Sequence, residues 1–409
     1  MNIISTSYKN RPLIFLILAT TLVGQFFFFT LFFLLGIEYN GISDSTLFAT
    51  LVCVFAAMSC VICASIYGKI NNVSIFLLLF SPLFFLLFYL VENPITLEAK
   101  KYFIFFYPLS FPSMCIGAFL AFNNCLKKIS PWIFILMLIQ SIVLILYVLR
   151  GLAGRDLDTQ TYLNYQYISY LGGFSFSVNI FYLFMGRDMG LFNWQRRGYM
   201  KIICAFLLAV QFVSIFVSGG RGGFVVAFIS LIVAMILKLK NYKSKYDIVL
   251  VVLLICLFLI GLKKITTNDN FNSSRVFSYI TKGGIDMSET SGRDIVYSSA
   301  ISLIRERPIF GYGFFKYYDL TLSYPHNMFL EFLLQRGVVL LILSIVVIFK
   351  LFHRFANMCR YEKSNYILLP FLIFCLVELQ FSDTYYYSSF FWFCVSYVFC
   401  MPKKYIQSY

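Results

Sequence analysis

Leu13 to Leu35 reads LIFLILATTLVGQFFFFTLFFLL, without one charged side chain. About 20 apolar residues are enough to cross the hydrocarbon core of a bilayer as a helix. This run is too long for the core of a signal peptide and contains no small-x-small cleavage pattern. It reads as a first membrane span. Runs of the same kind follow at 46–67, 73–91, 102–122, 131–149, 165–186, 201–217, 222–237, 246–262, 338–352, 365–381 and 386–401. The sequence therefore predicts an all-α, polytopic membrane protein with about 12 transmembrane helices. Composition agrees: hydrophobic residues are 60% and charged residues 12%, against about 25% charged in soluble domains.

The net charge of +15 does not point to nucleic acid, because it sits in short loops between spans. One set of loops is basic: Lys9 and Arg11; Lys69; Lys127 and Lys128; Arg187, Arg196, Arg197 and Lys201; Lys238 to Lys245; Lys350 to Lys363; Lys403 and Lys404. The alternate set mixes signs. Basic loops stay in the cytoplasm, so both termini are expected there. The long polar stretch 263–337 is expected to face the other side, with 1–262 forming helices 1–9 and 338–409 helices 10–12. Most of the cysteines lie in apolar runs, and Cys60-Val-Ile-Cys63 reads as packing, not redox chemistry.

The stretch 263–337 is the one long polar segment. It contains SGRDIVYSSAISLIRERPIFGYG, from Ser291 to Gly313, and YPHNMFLEFLLQRG, from Tyr324 to Gly337. Polar loops of this length in compact proteins are usually functional or disordered. This one has a helical apolar rhythm (Ile295, Val296, Ala300, Leu303, Ile304), broken at Pro308. Ser291 is a candidate cap for that helix, and the helix N-terminus beside Arg293 favours anions. Arg305 and Arg307 fall at its C-terminal end, where cations match the dipole anyway. His326, one of two histidines, follows Tyr324-Pro325 and precedes Asn327, which can bond locally. A neutral imidazole can accept a proton near neutral pH; the plainer role is a helix cap.

Two further places could carry chemistry. Ser218-Gly-Gly-Arg-Gly-Gly223 lies on a turn between spans. Arg221 there offers a fixed fork for phosphate oxygens, or is simply a snorkelling arginine. Glu378 and Asp383 lie in and just after a span, where ionisable groups are functional candidates; they can equally pair with an arginine. Tyr385, Tyr386 and Tyr387 read as an interfacial aromatic belt, with sugar stacking as the alternative. There is no phosphate-binding loop, dinucleotide fingerprint or His-Glu-x-x-His zinc motif, so no metal or cofactor is expected. A diphosphate leaving group held by arginines fits that absence.

Taken together, these elements resemble the O-antigen polymerase and O-antigen ligase superfamily of bacterial inner membranes. The resemblance rests on the Ser218–Gly223 turn, on Arg293 to Gly313 with Pro308, Gly311 and Gly313, and on His326-Asn327 with Gly337. It implies a glycosyltransferase acting at the periplasmic face on polyprenyl-diphosphate-linked oligosaccharides, without metal or nucleotide. Arg221 and Arg293 are expected to bind the donor diphosphate and His326 to activate the acceptor hydroxyl. Asn327, Arg305, Arg307, Arg336, Glu378 and Asp383 are further candidate substrate contacts. One departure is that Gln335-Arg336 stand where the family often has an acid shortly before the glycine matched by Gly337. Polymerase is preferred to ligase; a lipid-linked oligosaccharide flippase is the alternative of another class. The expected partners are lipid-linked donor and acceptor, membrane lipid, a chain-length regulator and a flippase, with no nucleic acid.

Overall fold

The computed structural model describes residues 12–35, 42–66, 72–152, 165–186, 198–241, 280–281, 284–285, 293–321 and 324–405. The expected span 246–262, the cap Ser291 and the early part of the polar loop lie outside them. The described chain is helical apart from one short pairing of Ile280–Thr281 with Gly284–Ile285. Its helices are α1 Pro12–Leu22, α2 Gly24–Leu35, α3 Ile42–Ile66, α4 Asn72–Glu92, α5 Leu97–Phe105, α6 Phe111–Phe122, α7 Leu126–Leu152, α8 Tyr165–Met185, α9 Gly198–Ser218, α10 Arg221–Asn241, α11 Arg293–Glu306, α12 Met328–Tyr361, α13 Leu369–Phe381 and α14 Ser389–Cys400. A π-helical turn, Phe106–Ser110, joins α5 to α6; Pro108 sits in it and Pro112 just beyond, and neither can donate a backbone hydrogen bond.

Among the described residues nine helices are long and apolar enough to cross a membrane. The expected first span is instead two helices, α1 and α2, bent by 94°. The last expected span, 386–401, is helical only from Ser389 to Cys400, because the tyrosines before it form a non-helical segment. Most spans are apolar all round, as helices surrounded by lipid and other helices can be. Two of the basic residues tie helix ends together: Lys127 at the start of α7 pairs with Glu362 just after α12 at 2.8 Å, and Arg354 donates to the Val398 carbonyl at 2.7 Å and to that of Met401.

α8 is the centre of the bundle, and nearly every side chain from Ile168 to Met185 is buried. Small residues let neighbours approach it closely, the usual device where lipid offers no hydrophobic drive to pack. Gly172 faces α9 at Ser214 and Ile215. Gly173 and Ser169 meet Gly223 at the start of α10. A Cβ at Gly223 would overlap the Ser169 carbonyl backbone, which cannot swing aside as a side chain can. Gly223→Ala is therefore expected to lower stability by about 1–3 kcal/mol, the usual cost of overpacking. Gly198→Ala, at a site with open space around it, is the control. The melting temperatures of the two purified variants in detergent test this; equal values would show that α8 and α10 can part at no cost.

A buried polar ladder joins α7, α8 and α9. Asn179 donates to the Cys204 carbonyl at 2.9 Å and to Gln211 at 3.1 Å, and Gln211 donates to Ser141 at 2.8 Å. Such bonds are typically worth about 0.6 kcal/mol each inside a membrane. Their main effect is to fix which faces of the helices meet.

Candidate functional site

α11 and the segment after it sit on a second, largely aromatic core. Phe85, Tyr102 and Phe106 from α4 to α6 meet Phe314, Phe315, Tyr317 and Tyr318 of the loop, with Met328 and Phe332 of α12 and Tyr385 and Tyr386 before α14. The tyrosine run is thus not an interfacial belt. Tyr386 is buried and donates to the Phe314 carbonyl at 2.6 Å, and Tyr385 donates to Gln335 at 2.8 Å. Ser110 of the π-helical turn donates to the Tyr386 carbonyl at 2.8 Å, which fixes the 384–388 segment from below.

Carboxylates pin the loop from two sides. Glu92, at the end of α4, accepts the backbone N–H groups of Phe314, Phe315 and Lys316 at 2.9, 2.7 and 3.3 Å, and Arg336 at 2.6 Å. Asp319 reciprocates, accepting Ile95 and Thr96 N–H, each at 3.0 Å. Burial raises the Asp319 carboxyl pKa, but Lys316 and these two amides outweigh it and leave a net lowering. Arg336 also lies 4.8 Å from the Phe88 ring centre. Arg336, a candidate substrate contact, is thus held in an internal ion pair. Sequence reasoning missed Glu92, because its partner stands 244 positions away.

The helix α12 is broken at Arg336 and Gly337, where Gly337 has φ +61°. The break leaves the Leu334 and Gln335 carbonyls open to accept Tyr312 and Gly313 N–H, both at 2.8 Å. Val338 N–H in turn donates to the Pro308 carbonyl at 2.9 Å. Gly311 and Gly313 also have positive φ, and a Cβ at Gly337 would overlap the Ile309 carbonyl. The Pro-x-x-Gly-x-Gly spacing is thus the mould that docks the loop into the break.

His326 lies just ahead of α12, in the left-handed region at φ +50°, an uncommon setting for a non-glycine residue. The cap of α12 is Asn327, whose Oδ1 accepts Phe329 and Leu330 N–H at 3.0 and 3.1 Å while its amide donates to Gln380 at 3.1 Å. His326 is therefore free of the capping role. Its ring lies 4.2 Å from that of Tyr324, centre to centre. Tyr324 donates to the Ser382 carbonyl at 2.5 Å, and Tyr170 of α8 donates to the Ser382 hydroxyl at 2.7 Å. Among the described residues Nδ1 of His326 is buried without a hydrogen-bond partner. Burial and, next, the charge of Arg293 hold the imidazole pKa below its ordinary value; the Ser382 backbone acts the other way.

This places Arg293 within electrostatic range of His326. The Ser218–Gly223 turn comes to the same end of the bundle. Gly222 packs on the Tyr170 ring, and Ser169 donates to the Gly220 carbonyl. The glycines beside Arg221 thus admit α8, not a ligand. Asp383 accepts the Thr384 N–H at 2.8 Å; burial raises its pKa, against its bonds to Tyr387 and Thr384. Glu378 and Asp383 line a cavity of about 20 Å³ with Tyr387 and Ser388, room for about one water. Arg307 packs 4.9 Å from the Tyr312 ring centre, and Arg305 lies on the exposed side of α11. These two are not gathered with His326. Tyr170 and Ser382, which carry the site, gave no sequence signal beyond being polar in apolar runs. Among the described residues no group of three or more His, Cys, Asp or Glu is placed to hold a metal.

No curated protein and no solved structure matches the chain. A protein-family model described as O-antigen ligase matches residues 204–345. The match covers the Ser218–Gly223 turn, α11, the loop docked into the helix break, and His326. Over those 142 of its 409 residues the chain is similar to the O-antigen ligase family.

Proposed function

We propose that the chain is a surface-polysaccharide polymerase, a glycosyltransferase that joins polyprenyl-diphosphate-linked oligosaccharide repeat units. The observation that carries this reading is His326. Its imidazole is kept neutral by burial and by Arg293, it has an unpartnered nitrogen, and its backbone is fixed in an unusual conformation. A neutral imidazole can take the proton of an acceptor hydroxyl as that oxygen attacks the anomeric carbon. The bond from that carbon to the donor diphosphate breaks, and its electron pair leaves with the diphosphate. Arg293 and Arg221 stabilise the charge that develops there, a role supported for Arg293 by its electrostatic effect on His326. The site faces the periplasm of a bacterial inner membrane and both termini face the cytoplasm, as the segregation of loop charge supports.

The family model's own description favours the second reading, transfer of finished glycan to lipid A–core. Length and a phenylalanine-rich composition (49 of 409 residues) favour the polymerase. The surface glycan of cells lacking this protein separates the two. Single repeat units on finished lipopolysaccharide are expected; polymer stranded on the carrier lipid would identify a ligase, and unchanged glycan would refute both.

A further inference from the structure

Beside the break in α12, the turn Pro308-Ile309-Phe310 protrudes from the protein. Phe310 is 71% exposed and Ile309 57%. Neither is floppy, since Gly311 N–H bonds the Arg307 carbonyl at 3.2 Å and Val338 N–H bonds that of Pro308 at 2.9 Å. The turn is held rigidly with its apolar side chains outward.

What covers it follows from its neighbours. Val338 and Val339, directly across those bonds, are 41% and 51% exposed, and the outward surface continues through Ile342, Leu343, Val346 and Phe349. This is the lipid-facing side of a membrane span. From Val338 to Tyr361 the helix is about 36 Å long at about 1.5 Å per residue, against a hydrocarbon core of about 30 Å. Arg354 and Arg360 lie towards its far end, so Val338 lies near the opposite boundary of the core. Ile309 and Phe310 extend the same apolar surface sideways at that boundary. Arg305 and Arg307 lie just before the turn, where cationic side chains meet lipid phosphates while their stems cover apolar surface.

We propose that Ile309 and Phe310 form a membrane-inserted wedge, with lipid acyl chains as its occupant and lipid phosphates met by Arg305 and Arg307. The wedge holds the C-terminal end of α11 at the depth of the head groups. This assignment stands on the exposed surface and does not depend on the reaction proposed above.

The test is photo-crosslinking of the full-length protein in nanodiscs of phosphatidylethanolamine and phosphatidylglycerol. p-Benzoylphenylalanine replaces Phe310 or, separately, Ile309, both outward-facing positions that tolerate a larger ring. Val339 is the lipid-facing reference and Ser298, on the exposed side of α11, the water-facing one. Intact mass should show lipid adducts at 310 and 309 in a yield comparable with that at Val339 and well above that at Ser298. Adduct yields at both positions no higher than at Ser298 would overturn the proposal. So would a cross-linked dimer in place of lipid adducts, which would make the turn a contact between copies.

Discussion

Replacing His326 by asparagine is expected to lower the rate of polymer formation by about 10²–10⁴-fold, the usual cost of losing a general base. Asparagine is the informative choice because it tolerates the left-handed backbone that His326 occupies. Alanine would lose the imidazole and strain the turn together. Capping does not confuse the result, since Asn327 caps α12 in either variant. The measurement is a reconstituted reaction with lipid-linked repeat units, with donor binding followed in parallel. Donor binding should survive; an asparagine variant that polymerises at the parent rate removes His326 from the chemistry. The pH profile gives an independent check. The base acts only when neutral, so activity is full above its folded pKa and is lost as pH falls through it. Burial and Arg293 place that pKa below the ordinary imidazole value, which is about 6.5. Activity should therefore hold through pH about 6.5 and fall only in more acid solution.

The arginines come next. Arg293→Lys and Arg221→Lys should each lose about 10²–10³-fold in rate, comparable with removing one donor to a developing oxyanion. Lysine keeps the charge but lacks the planar fork that binds two phosphate oxygens at once. Arg293 offers a finer test through its neighbour. Arg293→Gln removes a positive charge that disfavours protonation of His326, so the acid limb of the pH profile should move to higher pH. Arg293→Lys should leave that limb in place while the rate falls. Full activity of both lysine variants, or a limb unmoved by glutamine, would show that these arginines serve the fold and not the diphosphate.

Much of this was legible in the sequence, and what was not had identifiable causes. Apolar runs gave the spans because lipid demands helices with every backbone bond satisfied within the segment. The bend between α1 and α2 was hidden, since hydropathy is the same on both sides of it. Asn327, beside an apolar helical pattern, announced itself as a local hydrogen-bonder. The purpose of Gly222 and Gly223 did not, because a glycine signals only that something comes close. Here that neighbour is α8. Tyr385 and Tyr386 looked interfacial because composition cannot tell a tyrosine bonded in a buried network from one at a bilayer surface. The ion pair of Arg336 was hidden as well, because its partner Glu92 comes from another helix.

That pairing also orders events in time. Glu92 leaves the ribosome 244 residues before Arg336, roughly 12–50 s at about 5–20 residues per second. Throughout that interval α4 carries a carboxylate whose cation has yet to be synthesised, and for all but about its last 20 residues the three amide donors are missing too. The loop cannot seat until the broken helix supplies the Leu334 and Gln335 carbonyls. Insertion of the first helices and docking of the loop are therefore separate stages. A nascent chain stopped short of Arg336 leaves Glu92 without its cation, a mark by which unfinished molecules differ from finished ones.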